Sequence, residues 1–130
     1  MISGSCLCGS AKYEITGETS DIVHCHCSTC RKAHGSAFSS VASVPVSNFT
    51  IQNEVPLGSY ESSPGKTRYF CSRCGTQLYA KRHDKDHIIL RLGSLDSDLG
   101  SNEYAHIWLS QKANWYSLHS EIKEYEASLQ

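Results

Sequence analysis

The sequence lacks the charge imbalance typical of proteins that bind nucleic acids or acidic membrane surfaces. Its 130 residues include 12 Lys and Arg against 13 Asp and Glu, which gives a formal net charge of −1. A chain this close to neutral offers no broad basic surface for neutralising phosphates. We therefore expect neither a nucleic acid nor a membrane among its partners.

Long hydrophobic runs are also absent. The longest purely aliphatic run, residues 88–90, is far shorter than the roughly 20 residues of a membrane helix. Residues 1–6 do not show the basic segment and apolar segment that mark an export signal. These absences predict a cytoplasmic protein. Thiols stay reduced in the cytoplasm, so clustered cysteines favour a metal site over a disulfide.

Helical periodicity is scarce, and short segments of alternating hydrophobicity dominate the chain. Ala11, Tyr13 and Ile15 alternate with the polar Lys12 and Glu14, which predicts a half-buried strand. Further strands are predicted at residues 22–27, 38–44, 49–51, 67–71, 77–81, 87–92 and 106–109. The pattern predicts one domain over residues 1–130, mainly β, built from small antiparallel sheets.

Helix signals are confined to one short segment. Residues 30–34 are predicted to be helical, with Ser28 or Thr29 as the N-cap and Gly35 after the last turn. Residues 120–126 fit either a strand or a helix.

The seven cysteines fall into three tight clusters, at positions 6 and 8, at positions 25, 27 and 30, and at positions 71 and 74. Zinc binds thiolates at about 2.3 Å in tetrahedral geometry, so its sulfur ligands lie within about 4 Å of one another. A C-x-x-C segment achieves this by curling under the metal, and a C-x-C segment by presenting two residues on one side. The spacings are therefore typical of zinc sites.

Four of the cysteines form two pairs, each followed directly by a glycine: Cys6 and Cys8 with Gly9, and Cys71 and Cys74 with Gly75. Glycine allows the positive φ that turns the backbone N–H groups toward the sulfurs. Together the pairs predict a closed four-thiolate zinc site that clips the N-terminal strand to a later hairpin. The alternative is that these cysteines are four reduced side chains acting as small hydrophobic groups.

The third cluster, Cys25, Cys27 and Cys30, supplies only three sulfurs. Three protein ligands and one open position are typical of a catalytic zinc, where water or substrate takes the fourth place. Two alternatives remain open. The cluster could be a redox dithiol, or a structural zinc site closed by a histidine, for which His34, one turn after Cys30, is the best candidate.

The other histidines are poorer candidates for ligands. His24 and His26 alternate with Cys25 and Cys27 in an extended segment, so we expect them to point away from those sulfurs. The remaining histidines are expected at surface or half-buried positions: His83, His87, His106 and His119. The two tryptophans, Trp108 and Trp115, are expected in the core or in a pocket wall. The sequence contains no nucleophile-elbow, phosphate-loop or H-E-x-x-H motif.

Three motifs together resemble one known family. They are GSCLCG at residues 4–9, CHCSTCRK at residues 25–32 and FCSRCGT at residues 70–76. All seven cysteines take part in this resemblance, and it extends over nearly the whole chain. The family is that of the glutathione-dependent formaldehyde-activating enzymes, which also includes the centromere protein V-type domain.

The resemblance implies a β-rich fold of the β-tent type that is stapled by zinc, with two zinc ions per chain. It implies that Cys6, Cys8, Cys71 and Cys74 hold a structural zinc and that Cys25, Cys27 and Cys30 hold a catalytic one. It also implies a carbon–sulfur lyase whose reverse reaction condenses glutathione with formaldehyde to S-(hydroxymethyl)glutathione. The partners would then be a small thiol such as glutathione and a small aldehyde. By charge alone, Arg31, Lys32, Arg68 and Arg73 are candidates for binding the glutathione carboxylates.

Two hypotheses of different kinds follow. The first is a zinc-dependent carbon–sulfur lyase-type enzyme that joins or cleaves a small thiol–aldehyde adduct. The second is a non-catalytic zinc module that binds a protein partner. The module hypothesis predicts that the third cluster is closed by His34 or empty, with no pocket around it.

Overall fold

The computed structural model describes residues 1–129, and within that range it contains two β-sheets and one short α-helix. The helix, α1, spans Ser28–His34. The strands in chain order are β1 Ile2–Ser5, β2 Ala11–Ile15, β3 Ile22–Cys25, β4 Ser39–Pro45, β5 Phe49–Asn53, β6 Leu57–Ser63, β7 Lys66–Cys71, β8 Gln77–Arg82, β9 His87–Arg91, β10 Glu103–Ile107 and β11 Lys123–Glu124. No helix in this range has the length and apolarity to cross a membrane. The prediction of a mainly β chain is confirmed.

The smaller sheet has the strand order β1-β2-β5, and the larger one has the order β11-β10-β3-β4-β9-β8-β7-β6. Neighbouring strands are antiparallel, except that β10 lies parallel to both β3 and β11. The β3–β10 register places Ile107 opposite Cys25. A segment late in the chain thus lies beside one of the cysteine clusters.

The core lies between the two sheets. On β2, Ala11, Tyr13 and Ile15 are buried while Lys12 and Glu14 are exposed, as the alternation predicts. The three buried side chains belong to a cluster that also takes in residues of β4, β8 and β9. Hydrophobic burial on one face of each sheet therefore holds the sheets together.

Strand β9 shows that the larger sheet has two different faces. Ile88 and Leu90 are buried in the core. Ile89 and Arg91, which alternate with them, line a cavity on the opposite face. The larger sheet therefore contributes one face to the core and the other face to a cavity.

Three local structures differ from the sequence prediction. The N-cap of α1 is Cys27, whose sulfur accepts a hydrogen bond from the Cys30 N–H at 3.3 Å, so the prediction of Ser28 or Thr29 is wrong. Strand β3 consequently ends at Cys25, before the cap. Strand β10 ends at Ile107 because the next residue, Trp108, is left-handed with φ 57°.

The structure also tests the predictions for Gly35 and for residues 120–126. Gly35 follows α1 in the left-handed conformation at φ 60°, which confirms its predicted position. Between residues 120 and 126, only the two-residue strand Lys123–Glu124 is regular. That segment is therefore a short strand and not a helix.

Candidate metal centres

The four-sulfur cluster lies where the two sheets meet. Cys6 and Cys8 follow β1, Cys71 is the last residue of β7, and Cys74 lies in the turn before β8. Their four sulfur atoms all lie within 4.8 Å of one another. Cys6 and Cys71 are buried in the hydrophobic core. The cluster thus links the N-terminal strand to the β7–β8 hairpin.

The sulfur spacing fits a tetrahedral zinc ion. Four sulfurs at about 2.3 Å from one metal are separated by about 3.8 Å along the edges of the tetrahedron. The Cys6 and Cys8 sulfurs are 3.7 Å apart, and the Cys8 and Cys71 sulfurs are 3.8 Å apart. A donor set of four thiols is also the set that a structural zinc site uses.

Hydrogen-bond donors surround the same sulfurs. The Ser10 hydroxyl lies 3.2 Å from the Cys8 sulfur and 3.3 Å from the Cys71 sulfur. Backbone N–H groups of Arg73 and Cys74 point at Cys71 Sγ from 3.4 and 3.5 Å. The Ser10 hydroxyl lowers the pKa of Cys71. Donors placed in this way stabilise negatively charged sulfur.

Glycines make the two turns that supply these donors. Gly9 and Gly75 have φ values of 81° and 79°. Just after the second turn, the Thr76 hydroxyl lies 3.2 Å from Cys74 Sγ and lowers the pKa of Cys74 to about 5. The same hydroxyl accepts a hydrogen bond from the Leu7 N–H at 3.0 Å. Thr76 thus joins the two cysteine loops directly.

The three-sulfur cluster is assembled from one continuous segment. Cys25 ends β3, Cys27 caps α1, and Cys30 lies in the first turn of that helix. Their sulfur atoms lie within 4.8 Å of one another. From β7, Arg68 Nη2 donates to Cys30 Sγ at 3.5 Å.

The thiols of Cys25 and Cys30 have pKa values that are shifted in opposite directions. Hydrogen bonds from the Cys25 and Cys27 side chains lower the pKa of Cys30, and the Arg68 guanidinium acts in the same direction. Hydrogen bonding with Cys27 and Cys30 raises the pKa of Cys25. The cluster therefore favours a thiolate at Cys30, which is the protonation state that binds a metal.

A cavity of about 570 Å³ opens beside the three sulfurs. Volumes of this order are ordinary for small-molecule sites. Part of the wall is apolar, and four cationic side chains also line it. The apolar residues are Val41, Ile89, Ile107, Trp108 and Leu129. The cationic residues are Lys66, Arg68, Arg82 and Arg91. The cluster thus faces a space large enough for a small organic molecule.

Trp108 is fixed in the wall of this cavity by an unusual backbone conformation. Among residues 1–129 it is the non-glycine residue with positive φ, at 57°. Such a conformation costs about 1–3 kcal/mol and persists where neighbouring structure enforces it. The Trp108 N–H donates to the Ala127 carbonyl at 3.0 Å, and the Leu109 N–H donates to Tyr125 at 3.1 Å. The expected position in the core or in a pocket wall is confirmed for Trp108. It is wrong for Trp115, which is 68% exposed.

The structure does not bring His34 to the three sulfurs. In the described part of the chain, the group of close metal-binding atoms there consists of the three cysteine sulfurs. His34 instead lines a second cavity, of about 400 Å³, which Arg91 also borders. Burial lowers the pKa of His34 to about 4. The alternative in which His34 closes the site therefore does not fit this geometry.

His24 and His26 lie behind the cluster, as expected from the alternation. His24 Nε2 is 2.6 Å from Glu103 Oε1, and His26 Nε2 is 2.7 Å from His106 Nδ1. The expectation of a surface or half-buried position is wrong for His106, which is buried by its pairing with β3. His83, His87 and His119 are exposed or half-buried as expected.

Of the cations proposed from charge alone, Arg68 lines the cavity, whereas Arg31, Lys32 and Arg73 do not. Sequence reasoning missed Lys66, Arg82 and Arg91. One signal for Arg91 was available. It alternates with Ile88 and Leu90, which places it on the face away from the core.

Comparison with known proteins gives a consistent picture. Residues 1–111 match the family described as glutathione-dependent formaldehyde-activating enzyme. A relative from Podospora anserina is 36% identical over 102 residues, which cover 75% of this chain and 47% of the relative. A relative from Emericella nidulans is 41% identical over 80 residues, covering 58% of this chain and 40% of the relative. Both are named for glutathione-dependent formaldehyde activation. The chain spans about half the length of the curated relatives it matches.

One solved structure has a similar fold. A crystal structure of a Rhodobacter sphaeroides protein superimposes with a TM-score of 0.62 at 21% sequence identity. The match covers 78% of this chain and 97% of the other chain. At this identity the likeness concerns the fold alone.

Proposed function

The chain belongs to the glutathione-dependent formaldehyde-activating enzyme family, and on that premise we propose that it is a zinc-dependent carbon–sulfur lyase-type enzyme. It would join a small thiol to a small aldehyde, or cleave their adduct, in the manner of an S-(hydroxymethyl)glutathione synthase. One observation carries this proposal: three cysteine sulfurs lie together with no fourth ligand among residues 1–129, beside a cavity of about 570 Å³.

In this proposal the two clusters hold zinc ions with different roles. Cys6, Cys8, Cys71 and Cys74 would hold a structural zinc, since four thiolates complete a tetrahedral shell. Cys25, Cys27 and Cys30 would hold a catalytic zinc, since three thiolates leave one place for a ligand from the cavity. When bound there, zinc would lower the pKa of a substrate thiol so that its thiolate is available at neutral pH.

The reaction needs little beyond this thiolate and correct positioning. The thiolate sulfur forms a bond to the aldehyde carbon, and the electron pair of the carbonyl π bond moves to the oxygen, which becomes an alkoxide. The proton lost by the thiol then binds to that oxygen. The product is a hemithioacetal with the same atoms as the two reactants. The cavity walls would hold the two reactants together, which would convert a bimolecular reaction into an effectively unimolecular one.

The side chains around the cluster suit a thiol ligand better than an activated water. Three thiolates around a zinc ion leave a single net negative charge, which makes the site a weak Lewis acid. Arg68 donates to Cys30 Sγ and offsets part of that charge. Ile89, Ile107 and Trp108 give the cavity an apolar wall.

The geometry favours this enzyme over a non-catalytic zinc module. The module hypothesis predicts a third cluster closed by His34 or empty, with no pocket around it. In the structure His34 lies outside the three-sulfur group, and the group opens onto a cavity.

The activity can be tested directly. Zinc-loaded protein is mixed with glutathione and formaldehyde, and the exchange between free glutathione and its hemithioacetal is followed by NMR. We expect faster exchange with the wild-type protein and the uncatalysed rate with Cys27→Ser. Equal exchange with and without wild-type protein would contradict the proposed activity.

A further inference from the structure

A second cavity, of about 400 Å³, borders the opposite end of helix α1 from the first cavity, the one beside the three sulfurs. Thr29 and Cys30 in the first turn of α1 border the first cavity, whereas Ala33 and His34 in its last turn border the second. Arg91 borders both. Within residues 1–129, no cysteine, aspartate or glutamate borders the second cavity. The second cavity therefore has a different chemistry from the first.

Three side chains around the second cavity have buried polar atoms without a hydrogen-bond partner among the described residues. These atoms are Nε and Nη2 of Arg91, Nε2 of His34 and Oε1 of Gln77. Arg91 as a whole is only 3% exposed. Buried polar groups are nearly always hydrogen-bonded, and here three such side chains meet at one cavity. Their convergence indicates a polar ligand from outside the chain.

The two unpartnered nitrogens of Arg91 specify what that ligand presents. Nε and Nη2 lie on one edge of the planar guanidinium, where their N–H bonds can be accepted by two oxygens of the same group. Burial lowers the pKa of His34 to about 4, so its imidazole is neutral at neutral pH and can donate or accept through Nε2. The side-chain amide of Gln77 also carries both a donor and an acceptor. These groups suit an oxyanion.

The charge of Arg91 points to an anion of low charge. Among residues 1–129, Arg91 forms no ion pair with a carboxylate. Burial and the neighbouring Arg68 lower the pKa of Arg91 to about 10, as expected for a desolvated cation without a counterion. Arg68 has acceptors of its own in Ser62 and Cys30. One uncompensated guanidinium therefore matches a monovalent anion.

We propose that the second cavity binds a small monovalent oxyanion without a thiol, held at two oxygens by Arg91 and contacted by His34 and Gln77. This site does not require the proposed function, because neither cysteine cluster borders the second cavity. The bound anion would neutralise a cation that also borders the first cavity. Occupation of the second cavity would thus change the electrostatics of the first.

Formate is a suitable probe, and its binding to the zinc-loaded chain is measured by NMR from the Arg91 Nε–H and His34 ring signals. We expect both signals to shift in a saturable way, with a Kd of about 1 mM or tighter. Arg91→Gln should weaken formate binding at least about tenfold, and Gln77→Leu about threefold. Sulfate, which is divalent, should bind more weakly than formate. If Arg91→Gln folds poorly, Arg91→Lys, which keeps the charge but not the paired N–H groups, should weaken binding about threefold.

Two control variants locate the site. Arg82→Gln removes a cation that borders the first cavity and not the second, so formate binding should be unchanged. Cys27→Ser should also leave it unchanged, since the proposed ligand does not bind a metal at the three sulfurs. Loss of formate binding in either control would place the anion in the first cavity and overturn the inference. The same holds for a wild-type protein without saturable shifts, whose second cavity holds only water, for unchanged binding in Arg91→Gln, and for tighter binding of sulfate. Because no thiol or aldehyde is present, these outcomes are independent of the hemithioacetal exchange that tests the proposed function.

Discussion

The two cysteine clusters use the same ligand chemistry in opposite surroundings. Around the four-sulfur cluster, backbone N–H groups and the Ser10 and Thr76 hydroxyls point at the sulfurs. Around the three-sulfur cluster, one side is a cavity lined by cations. Both clusters bind through cysteine sulfur, so the ligand type does not distinguish a structural centre from a reactive one. The number of sulfurs and the groups around them, hydrogen-bond donors or a cavity, make the difference.

The clusters also differ in the length of chain that they connect. Cys25, Cys27 and Cys30 lie within one strand–helix junction. By contrast, Cys8 and Cys71 are 63 positions apart, and their cluster joins the two sheets. A metal that closes a long loop and completes the core contributes to folding, whereas one at a local turn contributes little to it. The following predictions test this difference.

Cys71→Ser should have the largest effect on stability. In zinc-finger peptides a structural zinc contributes about 10–16 kcal/mol of apparent folding free energy, which is as large as the whole net stability of most domains. Cys71 is also fully buried in the core. We expect this variant to lose cooperative thermal unfolding, as measured by circular dichroism. A variant that kept most of the wild-type melting temperature would show that the four-sulfur cluster does not hold the sheets together.

Cys27→Ser is the matched substitution in the three-sulfur cluster, and it should leave the fold intact. Serine is a preferred N-cap residue, so it can replace the capping role of Cys27 on α1. We expect the melting temperature to change by no more than about 5 °C, corresponding to about 1 kcal/mol. Elemental analysis should show that one zinc per chain is lost. Unfolding of this variant would contradict the division of roles between the clusters.

Ser10→Ala should have a moderate effect that is confined to the four-sulfur cluster. The substitution removes a buried hydroxyl that contacts the Cys8 and Cys71 sulfurs. We expect a loss of about 1–2 kcal/mol in the free energy of unfolding, measured with urea, while both zinc ions are retained. Ser59→Ala, at an exposed position on β6, is the control and should have no measurable effect.

His34→Gln should have the smallest effect, and only in acid. The folded protein lowers the pKa of His34 from 6.5 to about 4, so between these values the unfolded chain binds a proton that the folded chain does not. Stability at this site is therefore complete above pH 6.5 and is lost as the pH falls toward 4. We expect the variant to lose less stability than the wild type between pH 7 and pH 5 in urea unfolding. The thiolates contribute equally to both proteins, so their effect cancels in the comparison.

The features that were predictable from sequence are those set by nearby residues. The burial pattern of Ala11, Tyr13 and Ile15 follows from alternation within one strand. The metal-binding character of each short cysteine motif follows from the spacing within it, and Gly35 follows from the chemistry of helix ends. In each case the residues that decide the structure lie within a few positions of one another.

The features that escaped prediction depend on distant pairing. Strands β1 and β6 lie at sheet edges and contain few apolar residues, so their sequences show no alternation. Arg82 and Arg91 reach the cavity only through the register of β7, β8 and β9. The cap at Cys27 was missed because a thiol is not a usual N-cap residue.

The central claim is that one metal site stabilises the fold and the other binds a ligand from the cavity. Stepwise removal of zinc tests this claim most directly. Fully loaded protein is titrated with a chelator while released zinc is measured by a colorimetric assay and tertiary structure by near-ultraviolet circular dichroism. We expect two zinc ions per chain, the first released with the fold intact and the second only as the fold is lost. A single zinc per chain, or release of both ions in one step together with unfolding, would contradict it.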